Sequence, residues 1–425
     1  HNLDNGHTFL PRNKLLPAAS ALLGGAEEEL LEEALDVLVD QRVVCIEEVA
    51  GETACYLWEY WEAETHVADR IRTMSANELC PPDGLEGIIE GIQTRQGITY
   101  APQQRQAVEL AARCQMMLLT GGPGTGKTTS LRGVLALFEA MGLETALAAP
   151  TGRAAKRLGE LCQAEGTTIH RLLETRFDAK TGQLVFAHNE NDPLKADAVI
   201  VDETSMVDIT LISALLSALR EDCRLVLVGD PDQLPSVGAG NLLSDLIRSG
   251  QVPVVRLTEV FRQAAESAII RSAHQVNQGV TPVLKNDSSQ DVFFLRRSEP
   301  ALAEETIVEL VGKRLPEKMG IPAAQIQVLS PTRKYAGGTA SLNQALQQAL
   351  NPPDESKGER KFGPYIFRQG DRVMQVKNNY DVLWKTADGL EAGMGGFNGD
   401  VGRILEVDNR RELVTVDFEG HLVDY

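Results

Sequence analysis

MMLLTGGPGTGKTTSLRGVLALF, residues 116–138, decides the fold. An uninterrupted apolar run enters a Gly-rich loop, and a helical pattern leaves it. Continuous apolar runs of this kind mark parallel strands buried on both faces. The loop from Gly121 to Thr128 satisfies G-x-x-x-x-G-K-[ST] in the strand-loop-helix setting that pattern requires. Its glycines let backbone N–H groups curl around phosphates at a helix N-terminus. Lys127 places a point charge on the β and γ oxygens, and Thr128 can ligate Mg²⁺. Gly122, Pro123, Gly124, Thr125, Gly126, Lys127, Thr128 and Thr129 are therefore the expected nucleotide-binding set.

The pattern repeats outward from this point. TALAAP, AVIVDE and RLVLVGD are apolar runs alternating with helical stretches such as LISALLSALR, which is the organisation of an α/β core. A Mg-nucleotide site also needs a carboxylate at a neighbouring strand end. AVIVDET supplies Asp202 for the metal and Glu203 to activate a water, a pair that points to hydrolysis rather than mere binding. LVLVG delivers Asp230 and then Gln233, a neutral polar group suited to sensing a γ-phosphate without charge repulsion. Gln104 in YAPQQRQAVELA stands before the first helix, where an amide could read the adenine edge. Between two of the α/β units, RFDAKTGQLVFAHNENDP does not fit a crossover helix and reads as an inserted hairpin.

Residues 14–75 show two helical patterns, LLPAASALL and EEELLEEALDVLVDQ, then two β-type runs, VVCIEEV and ACYLWEY, around the turn AGET. That is the order of a winged-helix unit, but Glu27 to Glu33 make its second helix acidic, which favours a protein partner over DNA. EAETHVADRIRTMSANEL reads as a connecting helix and Pro81 to Gly84 as a linker. Beyond Arg262 come a helix, SAIIRSAHQVNQG, a second α/β start with strand IQVLSP and helix TASLNQALQQALN, and a Pro-rich break. From Gln369 the runs GDRVMQVKNN, GDVGRILEVD and LVTVDFEG alternate as in a small β-barrel. With one clear strand, the second α/β unit is expected to be incomplete where the sequence stops at Tyr425.

Composition narrows the classes. At roughly 150 residues per domain, 425 residues suggest about three domains. Forty-one Lys plus Arg against sixty Asp plus Glu give a net charge of -19, so a nucleic-acid partner has to be held in a locally basic groove. Cys45, Cys55, Cys80, Cys114, Cys162 and Cys223 lie far apart, without metal-ligand spacing. Free core thiols in a reducing cytoplasm are expected. No apolar run approaches the roughly 18 residues of a membrane helix, and no signal-peptide block opens the sequence.

GGPGTGKTT, APTGRAAKRL, TIHRLLE, VIVDETSMVD, LVGDPDQLPSVGAG, LTEVFRQ and VLSPTRKYAGGTASLN, in this order over about residues 98–425, resemble the ordered motifs of superfamily 1 helicases. The resemblance is to the RecD-like branch of superfamily 1B, and the acidic N-terminal unit resembles the extension of its longer, stand-alone members. It implies tandem RecA-like P-loop NTPase domains with a winged-helix-like α+β unit, a β-hairpin insertion and an SH3-like barrel insertion. The implied division is an N-terminal unit over 1–80, a first RecA-like domain over 81–265 with its hairpin at about 172–195, the start of a second over 266–352, and the SH3-like insertion over 353–425. It further implies an ATP-dependent 5′ to 3′ helicase and single-stranded DNA translocase of recombination or repair, acting at single/double-strand junctions.

Residue by residue, the resemblance implies adenine contact by Gln104, phosphate and Mg²⁺ contacts by Lys127 and Thr128, and Mg²⁺ binding by Asp202. Glu203 would act on the attacking water, and Gln233 and Arg262 on the γ-phosphate. It implies DNA-strand contacts by Pro150, Thr151, Arg153, Thr168, His170, Ser330, Thr332 and Arg333. Short hydroxyls, backbone amides and a few cations suit a track that holds phosphates without reading bases. The hairpin from Arg176 to His188 resembles the family's strand-separating pin. The family's later motifs, including a second γ-phosphate arginine, have no counterpart before Tyr425. The rival reading is an ATP-gated DNA-binding module without efficient turnover, from which Glu203 discriminates.

Overall fold

Two helices with apolar stripes and a short antiparallel ladder build the N-terminal part. Helices α1 (Arg12–Leu22) and α2 (Glu28–Asp40) bury Leu16, Leu31 and Leu35 with Val44 and Cys55. Strands β1 (Phe9–Pro11), β2 (Val44–Val49) and β3 (Glu52–Leu57) form a sheet of order β1-β3-β2. The expected hairpin closes through Ala50 and Gly51 at φ +52° and +83°. Positive φ at both turn residues matches the twist of paired strands. The three-residue β1, ending in Pro, is an addition too short to read from sequence. The connecting helix α3 (Trp58–Ala76) buries Ala63, Val67, Ile71 and Met74 in the main core, so it is structural rather than a tether.

The structure is a computed structural model that describes residues 3–178, 183–261, 266–284, 286, 290–377, 379–390, 392–396 and 399–425. It comprises two units, His1–Val283 and Leu284–Tyr425. After the linker, α4 (Leu85–Gln96), absent from the sequence reading, buries Ile89 and Ile92 completely, and α5 (Pro102–Arg113) follows. Then come β4 (Met116–Gly121), α6 (Lys127–Ala140), β5 (Thr145–Ala149), α7 (Gly152–Cys162), β6 (Gly166–Thr168), α8 (Ile169–Leu173), the hairpin β7 (Thr175–Asp178) and β8 (Gln183–Phe186), β9 (Ala198–Val201), α9 (Ile209–Ala218), β10 (Arg224–Gly229), α10 (Leu242–Ser249), β11 (Val254–Leu257) and α11 (Ala268–Asn277).

Six of these strands form one parallel sheet of order β11-β4-β10-β9-β5-β6. Leu118, Leu119, Val199, Ile200 and Leu227 expose no surface, so the sheet is covered on both faces, as the apolar runs require. The carboxyl ends of β4, β10 and β9 therefore lie side by side. Arg224, 9% exposed, donates from Nη1 to the carbonyls of Ala111 at 2.8 Å and Ala112 at 3.2 Å, which closes the end of α5. Its guanidinium carbon stands 5.9 Å from the Phe138 ring centre.

In the second unit, helices Pro300–Glu309 and Thr339–Leu350 precede β12 (Glu359–Phe362) and β13 (Tyr365–Arg368), which pair as a hairpin. IQVLSP, expected as a strand, is not one, and none of the described residues from 284 to 358 is in a strand. An extended run without a partner has no ladder to hold its backbone groups. The β-rich segment is confirmed. β14 (Arg372–Met374), β15 (Asn379–Thr386), β16 (Ala392–Gly396), β17 (Val401–Asp408), β18 (Leu413–Phe418) and β19 (His421–Asp424) form an antiparallel sheet of order β14-β17-β18-β19-β15-β16 around Ile404, Val407 and Val416. The six cysteines are free; Cys55 and Cys223 are buried, whereas Cys80 is exposed rather than in a core. Among the described residues no helix is long and apolar enough to cross a membrane.

Candidate active site

The loop leaving β4 is fastened by its own side chains. Lys127 Nζ donates to the carbonyl of Gly121 and, at 3.1 Å, to that of Gly122. Thr125 Oγ1 donates to Gly122 O at 2.8 Å. Gly124 and Gly126 take φ of +75° and +83°, left-handed values that favour glycine. At Gly126 space is also limiting: a Cβ there would fall on the Gln104 amide nitrogen and 2.8 Å from Phe261 Cε2. Thr128 is exposed on the first turn of α6, and Thr129 is partly buried.

Gln104 is 4% exposed, and its Oε1 accepts the Ala101 N–H at 3.0 Å, which caps α5 and leaves the amide nitrogen beside Gly126. Its neighbour Gln103, which the motif reading passes over, accepts the Thr258 N–H at 2.8 Å and donates to Thr258 Oγ1 at 3.0 Å. That pair ties the start of α5 to the end of β11.

β9 and β10 bring the carboxylates. The Asp202 N–H donates to Ala148 O at 2.9 Å, so the residue after β9 is still fastened to β5. Asp202 Oδ1 then accepts the Glu203 N–H at 2.9 Å. Glu203 itself sits at φ +53°, ψ +40°, a conformation that costs a non-Gly residue about 1–2 kcal/mol. Strain of this kind concentrates at functional sites. Burial pushes the Asp202 carboxyl up, against its hydrogen bond from Glu203 N–H and the opposing fields of Lys127 and Arg157. Burial, then the charge of Asp202, pushes Glu203 up, again opposed by Lys127 and Arg157, with Asp230 adding a small rise. Lys127, Asp202, Glu203 and Asp230 thus share one electrostatic site.

Arg157, on α7, joins that site; APTGRAAKRL does not mark it, because its relation to the carboxylates depends on how α7 packs. Asp230 is 3% exposed and accepts the Asp232 N–H at 3.1 Å, while Gln233 is exposed on the loop beyond. Arg262 lies outside the described residues.

The residues expected along a DNA strand fall into both units. In the first, Pro150 and Thr151 follow β5, with Thr151 Oγ1 accepting the Ala154 N–H at 3.3 Å to cap α7, and Arg153 is exposed on its first turn. Thr168, 2% exposed, caps α8 by accepting the Arg171 N–H at 3.1 Å. His170 stands 6.0 Å from Phe186 of the hairpin, ring centre to ring centre, and burial lowers its pKa against a small opposing effect of Asp208. The hairpin is rooted by N–H donation from Ala187 to Glu174 O and from His188 to Leu173 O, both at 3.0 Å. Its tip, 179–182, lies outside the described residues. In the second unit Ser330 Oγ donates to Gly337 O at 2.8 Å, and Thr332 and Arg333 are exposed.

A family model described as an AAA domain matches residues 99–293, and one described as the ATP-dependent RecD-like DNA helicase SH3 domain matches residues 342–418. The RecBCD enzyme subunit RecD of Mycolicibacterium smegmatis is 39% identical, covering 87% of this chain and 72% of that protein. The chain belongs to the RecD-like DNA helicase family. The ATP-dependent RecD2 DNA helicase of Deinococcus radiodurans, a RecD-like relative 34% identical, matches 99% of this chain, which spans 54% of the relative's length. A solved structure of Pif1 helicases at forked double-stranded DNA superimposes with a TM-score of 0.41 at 18% identity, over 77% of this chain and 76% of that one, a likeness too slight to carry weight. RecD-like membership accounts for both the parallel sheet and the antiparallel C-terminal sheet.

Proposed function

We propose that the chain is the ATP-hydrolysing part of a DNA helicase that translocates 5′ to 3′ on single-stranded DNA in recombination or repair. The observation that carries this reading is that Lys127, after β4, and Asp202 and Glu203, after β9, stand at the carboxyl ends of two parallel strands that flank β10, within one another's electrostatic reach. Gln104 is assigned to adenine, residues 122–129 to the phosphates, Glu203 to the attacking water, and Gln233 and Arg262 to the γ-phosphate. The exposed Thr128 hydroxyl and the Asp202 carboxylate are hard oxygen donors that suit Mg²⁺. Bound there, Mg²⁺ supplies neutralisation of charge on the β and γ oxygens. Lys127 orients the phosphates, and Glu203 takes the proton of the water that attacks the γ-phosphorus, whose bond to the β,γ-bridging oxygen breaks to release ADP and inorganic phosphate.

Pro150, Thr151, Arg153, Thr168 and His170 from the first unit and Ser330, Thr332 and Arg333 from the second hold the strand. The N-terminal unit, the two RecA-like parts and the SH3-like insertion are assigned boundaries near 80, 265 and 352, with α11, just past the second of these, still packed on the phosphate loop of the first part. Nucleotide moves the strand only if the two RecA-like parts grip it differently with and without ATP. The hairpin splits the duplex at the junction. The acidic N-terminal unit serves a protein partner, and the cytoplasm is the expected compartment. Support for the activity comes from the relatives named as DNA helicase and RecBCD subunit. The test is strand displacement from duplexes carrying a 5′ or a 3′ tail, with Mg-ATP. Displacement from the 5′ tail alone is expected. Displacement from the 3′ tail alone would overturn the polarity, and ATP hydrolysis indifferent to DNA would indicate a P-loop ATPase with another substrate.

A further inference from the structure

We infer that His274 is a positioning residue of the phosphate loop: from α11 its imidazole fixes the Pro123 carbonyl and so aims the following N–H, that of Gly124, into the phosphate cradle. The inference rests on the proposed ATP reading of that loop. His274 Nε2 lies 3.2 Å from Pro123 O. A carbonyl only accepts, so Nε2 carries the hydrogen, and the neutral tautomer supplies it as well as the cation does. The ring also packs on the loop itself, because a Cβ on Gly122 would lie 2.9 Å from His274 Cε1.

The consequence follows from peptide geometry. In a planar trans peptide the C=O and the next N–H point in opposite directions, so anchoring the carbonyl outside turns the N–H inside. The same segment of chain repeats the device one residue later, where the Phe261 N–H donates to Gly124 O at 3.3 Å and so turns the Thr125 N–H. Lys127 takes the carbonyls of Gly121 and Gly122. Every carbonyl from Gly121 to Gly124 thus has a donor of its own, and those of Pro123 and Gly124 take theirs from outside the loop. Gly-Gly-Pro-Gly is otherwise free to rotate at its glycines, and a cradle ordered before the ligand arrives does not spend binding energy on ordering. His274 falls in a segment, SAIIRSAHQVNQG, that the motif reading treats only as a helix, and it meets a loop 151 positions away.

The experiment is calorimetric binding of Mg-ATP to the whole chain as wild type, His274→Ala, His274→Gln and Lys127→Ala, with melting temperatures measured alongside. His274→Ala is expected to bind about 3- to 10-fold more weakly, the worth of one hydrogen bond. His274→Gln keeps an N–H donor at similar reach and is expected to bind as wild type does. Wild-type affinity in His274→Ala would overturn the inference. Tighter binding in that variant would overturn it too, by making the ring a plug. His274→Gln as weak as His274→Ala, at a wild-type melting temperature, would show that the donor is irrelevant. Wild type binding no better than Lys127→Ala would instead sink the ATP reading and the inference with it.

Discussion

Replacing Gly126 by Ala separates two costs that the phosphate loop combines. Gly126 and Gly142 flank the same helix, α6, at φ +83° and +72°. A Cβ at Gly142 meets nothing within 4 Å, whereas one at Gly126 meets the Gln104 amide and Phe261 Cε2. Gly142→Ala therefore carries only the left-handed penalty, about 1–2 kcal/mol. Gly126→Ala carries that penalty plus overpacking of about 1–3 kcal/mol, for a total of roughly 2–5 kcal/mol. The displaced Phe261 also drags its N–H from Gly124 O, so Mg-ATP affinity should fall in Gly126→Ala and stay unchanged in Gly142→Ala. Urea unfolding followed by circular dichroism gives the stabilities, and calorimetry the affinities. Equal destabilisation by the two substitutions, with equal ATP affinity, would refute the packing seen around Gly126.

Glu203→Gln should bind Mg-ATP but hydrolyse it about 10² to 10⁴-fold more slowly, as expected for losing a general base; near-normal turnover would reassign the water. The raised pKa of Glu203 means that its ionised form is disfavoured by folding, a penalty present at pH above the folded value and absent below the unfolded one. In metal-free buffer Glu203→Gln should therefore melt higher than wild type at pH 8 and equally at pH 4; a lower melting temperature at pH 8 would contradict this. Arg224→Met leaves the Ala111 and Ala112 carbonyls without their donor and should cost roughly 1–3 kcal/mol by urea unfolding; no loss would mean that α5 ends without that clamp. Replacing residues 176–188 by a short Gly-Ser bridge should spare DNA-stimulated hydrolysis and abolish strand displacement, and unchanged displacement would remove the hairpin from the mechanism.

What the sequence made legible was local chemistry. The phosphate loop, the Asp202–Glu203 pair and the apolar runs of β4, β9 and β10 are each written in a few adjacent residues, and the sheet places them together. What it concealed depends on distant partners. Gln103 matters because Thr258 stands opposite it, and Arg157 because α7 turns it toward the carboxylates. β1 exists because β3 offers an edge to a run that would otherwise be a loop. IQVLSP shows the converse, since β-type composition without a neighbouring strand yields no ladder. Glu203 in a left-handed conformation is likewise invisible in VIVDETS, where nothing but tertiary constraint selects it.

The site assembled around Lys127, Asp202 and Glu203 is expected to hydrolyse ATP in response to single-stranded DNA. The most direct measurement is the rate of ATP hydrolysis by the 425-residue chain and by a C-terminally extended form, each with and without single-stranded DNA, with Lys127→Ala as the blank. Stimulation by DNA that disappears in Lys127→Ala is the expected result. ATP and DNA binding without stimulated hydrolysis in either form would contradict it and leave Glu203 with the wrong role.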